Sequence, residues 1–330
     1  MLGLVKNEIK KEFVKKTNYI ILVAIILASF LYVLAPILFV GEASNTYSSG
    51  EGWKKDTQES IVERENENAS IQNSSNNEEL SFNDSVTVEA NNATIEKLNY
   101  HLENDIPPAD SFNLFDNLAQ LSNFTIILSV LAIFLASSIV SKEFNIGTIK
   151  LLLIRPYSRN QILGAKYIAM LVIITLFLAT LILSTSIFSM FFASINPTIN
   201  YVLESNSGYT DVNFISYLSK MIIGDLFYLF IVATVAFAIS TITNSSKAAL
   251  SLSLLLVLMG SSIVNTVAAR TETGAKYLLM SNWDLNNYLV GNSPPISGLN
   301  YSFSAFVSIL YLIIIVFFTF YVFNKKDVTV

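Results

Sequence analysis

The sequence predicts an all-α membrane protein with six transmembrane helices, and three observations carry that prediction. Half of the 330 residues are hydrophobic and only 14% are charged, with a mean hydropathy of +0.53, too apolar for a soluble domain of this length. Long runs almost free of charge recur along the chain, each near the ~20 residues that cross a bilayer as a helix. The charges between those runs are sorted: acids collect in one long segment, and bases collect at both ends and in one loop.

Residues 1–18 form an amphipathic helix candidate. Leu2, Val5, Ile9 and Phe13 share one stripe, while Lys6, Lys10, Lys11, Lys15 and Lys16 lie mostly off it, the pattern of a helix resting on the inner leaflet. Residues 19–40 make the first span. A cleavable signal peptide would have a shorter apolar region, roughly 7–15 residues, and a small-residue cleavage site after it.

Residues 41–120 change character. Sixteen Asp and Glu stand against Lys54, Lys55, Arg64 and Lys97, a balance that belongs outside the membrane. Within this segment, 44–77 is rich in Ser, Asn and Glu and is expected to be disordered or a mobile loop. Val86 and Val88 alternate as in a short strand. Ile95, Leu98 and Leu102 then mark one face of a helix ended by Pro107-Pro108. His101 is the single histidine, and in this polar setting it reads as a solvated side chain. A small outer domain with one or two helices is the expectation, leading into the second span at 121–140.

Residues 141–166 form the basic loop. Lys142, Lys150, Arg155, Arg159 and Lys166 face a single acid, Glu143, so the loop is expected on the cytoplasmic side. Gly147-Thr148 interrupts the arriving helix, Thr148 can cap a short helix through Ile154, and Arg155-Pro156 ends it. Ser158 followed by Gln161 then makes a capping box for the next helix.

The third span, 167–195, is longer than the hydrocarbon requires and should tilt or project. An outer loop at 196–216 leads to the fourth span, 217–242, where Lys220 and Asp225 sit near the outer end. Lys220 can snorkel outward. A charge at the bilayer centre costs about 2.5–3.5 kcal/mol, so Asp225 should face protein or water, as a pathway residue or a structural one. A tight inner turn, 243–247, precedes the fifth span, 248–269, in which Gly260, Ser261 and Ser262 offer a small patch for close helix contact. The outer loop 270–302, with Trp283 and Pro294-Pro295, can hold a short re-entrant or interfacial helix. The sixth span, 303–323, and a tail, 324–330, with Lys325-Lys326, put both termini in the cytosol.

Glu143, the Gly147-Thr148 pair, the apolar run, Pro156, Ser158-Arg159 and Lys166 resemble the loop between the second and third spans of type-2 permeases of ATP-binding-cassette (ABC) transporters, of the bacterial exporter type. With the order of the spans, the resemblance covers nearly the whole chain. It implies that residues 1–18 are an elbow helix, that the first and fifth spans help to form a permease dimer, and that the loop carries a coupling helix seated in a nucleotide-binding subunit. Glu143, Gly147, Thr148, Arg155, Pro156 and Arg159 are then the coupling residues, and Asp225, Gly260 and Ser261 are candidates for a pathway or interface.

The chain itself has no P-loop, no cysteine and no catalytic pair at membrane depth, so no catalytic, cofactor-binding or metal-ligating residue is assigned. ATP and Mg would be held by a separate ATPase subunit. The expected partners are that ATPase, a second permease copy or a homologous permease, and membrane lipid, with no nucleic acid. Spans nearly free of ionisable groups disfavour an ion-driven carrier. They suit a hydrophobic or amphipathic cargo, such as an antimicrobial peptide or a lipid, and a role in export or antimicrobial resistance. The alternative is a membrane anchor or sensor whose outer segment binds a ligand. A plasma-membrane location follows in either case, and richness in Lys, Asn and Ile suggests a bacterium of low genomic G+C content.

Overall fold

The computed structural model describes residues 1–39, 52–74, 81–108, 113–146, 157–193, 200–205, 208–289 and 294–326. In chain order the helices are α1 (Leu2–Phe13), α2 (Lys16–Phe39), α3 (Gly52–Ser74), α4 (Phe82–Glu103), α5 (Leu114–Ala119), α6 (Thr125–Ile139), α7 (Ser141–Ile146) and α8 (Arg159–Phe192). Two strands follow, β1 (Asn200–Ser205) and β2 (Gly208–Asn213), and then α9 (Phe214–Thr243), α10 (Ser246–Ala268), α11 (Glu272–Ala275), α12 (Leu279–Asn282) and α13 (Tyr301–Lys325). Short 3-10 turns occupy Gln120–Phe124 and Leu285–Tyr288.

Among the described residues six helical segments are long and apolar enough to cross a membrane: Lys16–Leu38, Leu114–Phe144, Arg159–Phe192, Phe214–Thr243, Ser246–Ala268 and Tyr301–Lys325. The chain is a helical membrane protein. At 1.5 Å per residue the 34 residues of α8 extend about 51 Å, well beyond a hydrocarbon core of ~30 Å.

The start of α8 is fixed by a reciprocal cap. The Gln161 backbone N–H donates to Ser158 Oγ at 3.3 Å, and the Ser158 N–H donates to Gln161 Oε1 at 3.0 Å. Ser245 caps α10 and Asn300 caps α13 in the same way, each accepting from a backbone N–H three residues on.

Two compact units make up the fold. The first comprises Met1–Phe30, Gln120–Thr185 and Ser219–Val330. Its core is built on small and branched side chains: Ala132, Ile133 and Ala136 of α6, Leu163, Ala169 and Met170 of α8, and Leu229, Ala233, Ala236 and Phe237 of α9 are all buried. Small residues let backbones approach, and hydroxyl bonds then link helices where water is absent. Ser240 Oγ donates to the Ser137 carbonyl at 2.7 Å, the Tyr167 and Thr234 hydroxyls lie 2.9 Å apart, and Ser184 Oγ donates to Ser29 Oγ at 2.7 Å.

The second unit comprises Leu31–Ala119 and Ser186–Leu218. Here α3 packs on α4 with Ile61 and Leu98 buried and a ladder of polar side chains. Asn91 Nδ2 donates to Asn68 Oδ1 at 2.9 Å and to Glu67 Oε2 at 3.1 Å, Arg64 donates to Asn91 Oδ1 at 3.1 Å, and Asn68 donates to Asn92 Oδ1 at 3.0 Å. Antiparallel β1 and β2 pair from Asn200↔Asn213 to Ser205↔Gly208. The Tyr209 hydroxyl donates to the Ala93 carbonyl at 2.8 Å, and Tyr201 reaches Asp116.

Within the outer loop expected at 196–216, Asn200–Ser205 and Gly208–Asn213 form a β-hairpin, satisfying their backbone groups on each other. Three expectations are corrected here. Residues 52–74, expected to be mobile, are α3, held by the polar ladder rather than by an apolar stripe. Val86 and Val88 lie in α4, whose start is set by Ser81 accepting from the Asp84 N–H at 3.2 Å. His101 is buried, with Nδ1 donating to the Ile106 carbonyl at 3.0 Å.

Candidate functional site

Two constellations in the first unit gather the candidate residues. The first flanks the segment 147–156. After α6 ends at Ile139, Ser141 Oγ donates back to the Ser137 carbonyl at 2.6 Å and lies 2.5 Å from Ser246 Oγ, which seats α7 beside the start of α10. Glu143, on α7, is buried.

Facing Glu143 is Lys166 of α8, which is 1% exposed and the largest fully buried side chain described. Its Nζ donates to Glu143 Oε1 at 2.7 Å and to Glu8 Oε2 at 2.8 Å. Lys11 also pairs with Glu143, and Lys15 pairs with Glu12, whose backbone carbonyl accepts from Asn18 Nδ2 at 2.8 Å. A lone buried ammonium would be prohibitively costly, and the two carboxylates around Lys166 make its burial possible. Burial pulls the Lys11 ammonium down, but its bond to Glu143, with Glu8 and Glu12 nearby, outweighs that and leaves it raised. The charges of α1 therefore hold the helix to α7 and α8 as well as lying along its surface.

Arg159 and Lys326 close two helix ends. Arg159 Nη1 donates to the carbonyls of Asn324 at 3.2 Å and Lys326 at 2.7 Å, at the end of α13. Lys326 Nζ in turn donates to the carbonyls of Thr241 and Ile242 at 3.0 and 2.8 Å, and to Asn244 Oδ1 at 2.8 Å. Cations belong at the carbonyl ends of helices, where the peptide dipoles are negative. Burial lowers the Lys326 ammonium. Gly147, Thr148, Arg155 and Pro156 lie outside the described residues.

The second constellation is a recess of about 470 Å³ among α6, α9, α10, residues 280–287 and Pro295. Asp225, 2% exposed, accepts two hydrogen bonds on Oδ1, from Thr125 Oγ1 and Asn286 Nδ2, both at 2.7 Å. Gly224 makes this approach possible, since a Cβ there would lie 2.0 Å from Asn286 Oδ1. Gly260 accommodates Trp283 rather than a second span: a Cβ would lie 3.0 Å from Trp283 Cζ2. The Trp283 ring meets Tyr228 edge-on, with centroids 5.6 Å apart. Ser261 lines the same recess as Asp225, and Gly260 packs against Trp283 of its lining.

Asp284 also lines the recess and accepts from the Asn286 N–H at 3.0 Å; burial raises its carboxyl above the ordinary range. Among the described residues no group of three or more His, Asp or Glu could hold a metal ion. Thr125, Asn286, Asp284 and Glu8 were not among the residues the sequence singled out. Thr125 and Asn286 lie 100 and 61 residues from Asp225, and no local pattern announces either.

A family model described as "Protein of unknown function (DUF2705)" matches residues 82–329. That span contains Glu143, Lys166 and the whole recess, whereas Glu8 and Lys11 precede it. "Uncharacterized protein YhcI" of Bacillus subtilis (strain 168) is 30% identical over 336 residues, covering 99% of each chain. "Uncharacterized membrane protein YdbK" of the same organism is 26% identical over 220 residues, covering 66% of this chain and 85% of its own.

Proposed function

We propose that this chain, which belongs to the DUF2705 family, is the transmembrane permease subunit of an ATP-driven exporter of the ABC type-2 class. In this reading residues 141–166 form the cytoplasmic coupling loop, both termini are cytoplasmic, and a separate ATPase binds ATP and Mg. Two permease chains, identical or homologous, carry a hydrophobic or amphipathic substrate out of a bacterial plasma membrane.

One observation carries the proposal. Both flanks of segment 147–156 are ion-paired to each other and to α1 through Lys166, Glu143 and Glu8. A loop meant only to connect two spans needs no buried salt bridge at its base. A loop that transmits a push does, because displacement reaches the spans only if its roots are stiff. The order of six apolar helices, with an amphipathic helix first, agrees with the same reading.

Copurification of the tagged full-length chain from its native membrane tests the proposal. The expected result is a stoichiometric ATPase whose turnover depends on this chain and drops when Glu143→Gln and Lys166→Met are combined. Recovery of a kinase, or of no nucleotide-binding partner, overturns it and leaves the anchor or sensor reading. That second reading draws on the folded second unit, with α3, α4 and the hairpin bonded together, as a surface for a ligand.

A further inference from the structure

The recess beside Asp225 has no role in the coupling argument. Asp225 is almost wholly removed from solvent, yet among the described residues no Lys, Arg or His lines the recess, and both hydrogen bonds to its carboxylate fall on Oδ1. Two neutral donors on one oxygen do not replace a countercharge, and a buried carboxylate demands a cation or a proton. Asp284 adds a second carboxylate to the lining.

We infer that this recess binds a primary ammonium group carried on a short apolar stem. The ammonium would bridge Asp225 Oδ2 and Asp284, and the stem would lie against Trp283 and Tyr228, whose ring faces favour a cation and whose edges supply apolar contact. An ammonium has three donors, and the amide oxygens of Asn265 and Asn287 on the lining can take those the carboxylates leave. The volume, about 470 Å³, suits a small organic ion or one basic side chain of a larger molecule. Gly224 and Gly260 look different in this light: each omits a side chain so that a wall of the site, Asn286 or Trp283, can close in. The inference stands independently of the permease reading, because binding requires neither nucleotide nor an ATPase.

The test uses purified full-length chain in lipid nanodiscs. The chain has two tryptophans, so Trp53→Phe leaves Trp283 as the reporter. Butylammonium is titrated against neutral butanol at constant ionic strength while Trp283 emission is followed. The expected result is a saturable change with butylammonium alone, weakened about tenfold or more by Asp225→Asn and measurably by Asp284→Asn. Asp284→Asn serves as the second variant should Asp225→Asn fail to fold. An equal response to butanol overturns the inference, as does saturation by sodium or calcium chloride alone. Unchanged affinity in both folded variants, or no saturable change at all, overturns it too.

Discussion

Lys166 Nζ lies 2.7 Å from Glu143 Oε1, joining α8 to α7 around the loop between them. Because the same ammonium reaches Glu8 at 2.8 Å, three helices share one buried positive charge. Removing that charge leaves carboxylates buried beside each other. Lys166→Met should destabilise the chain by about 3–5 kcal/mol, the usual cost of breaking a buried pair from one side. Adding Glu8→Gln and Glu143→Gln should return most of that loss, and detergent-resistant thermal unfolding of the single and triple variants measures both.

Gly224→Ala should be among the most disruptive alanine substitutions in α9. Its new Cβ would stand 2.0 Å from Asn286 Oδ1, so either the Asn286 amide leaves Asp225 or the helix shifts. Overpacking of this kind costs about 1–3 kcal/mol, and the melting temperature should fall accordingly. Gly260→Ala, with 3.0 Å to Trp283 Cζ2, should cost less and shift Trp283 emission.

Arg159→Ala should free the end of α13. Two hydrogen bonds donated to the Asn324 and Lys326 carbonyls are lost, worth ~1–2 kcal/mol at a partly exposed helix terminus. Arg159→Lys keeps the charge but not the planar fork, so it should fall between the two. Hydrogen exchange at the last turn of α13 reads the difference.

His101 gives the second unit a pH dependence. Burial, opposed by its bond to the Ile106 carbonyl and assisted by Lys97, lowers its pKa from 6.5 to about 4. The unfolded chain then binds more protons than the folded one between those values. Stability from this residue is complete above pH about 6.5 and falls as pH drops toward about 4, by about 3 kcal/mol in the limit. Melting of the wild type should decline across that window, and His101→Gln should flatten the decline.

The apolar runs made the long helices legible because a span reports itself locally: some twenty greasy residues have few alternatives. The Ser158–Gln161 cap was legible for the same reason, all of it lying within four residues. What escaped depends on distant partners. Residues 52–74 look like a solvated linker until Asn68 and Arg64 meet Asn91, and Val86 and Val88 look like a strand until Ser81 starts a helix over them. Glu143 stood out as the single acid of a basic loop, and Asp225 as an acid in an apolar span. Their partners Glu8, Lys11, Thr125 and Asn286 are common residues in ordinary places, and only the folded chain brings them within reach.

Asn244, at φ +56°, and Ser245 are all that separates α9 from α10. So short a connector holds the end of α9 beside the start of α10. Lys326, synthesised some eighty residues later, then fastens onto the bend from α13.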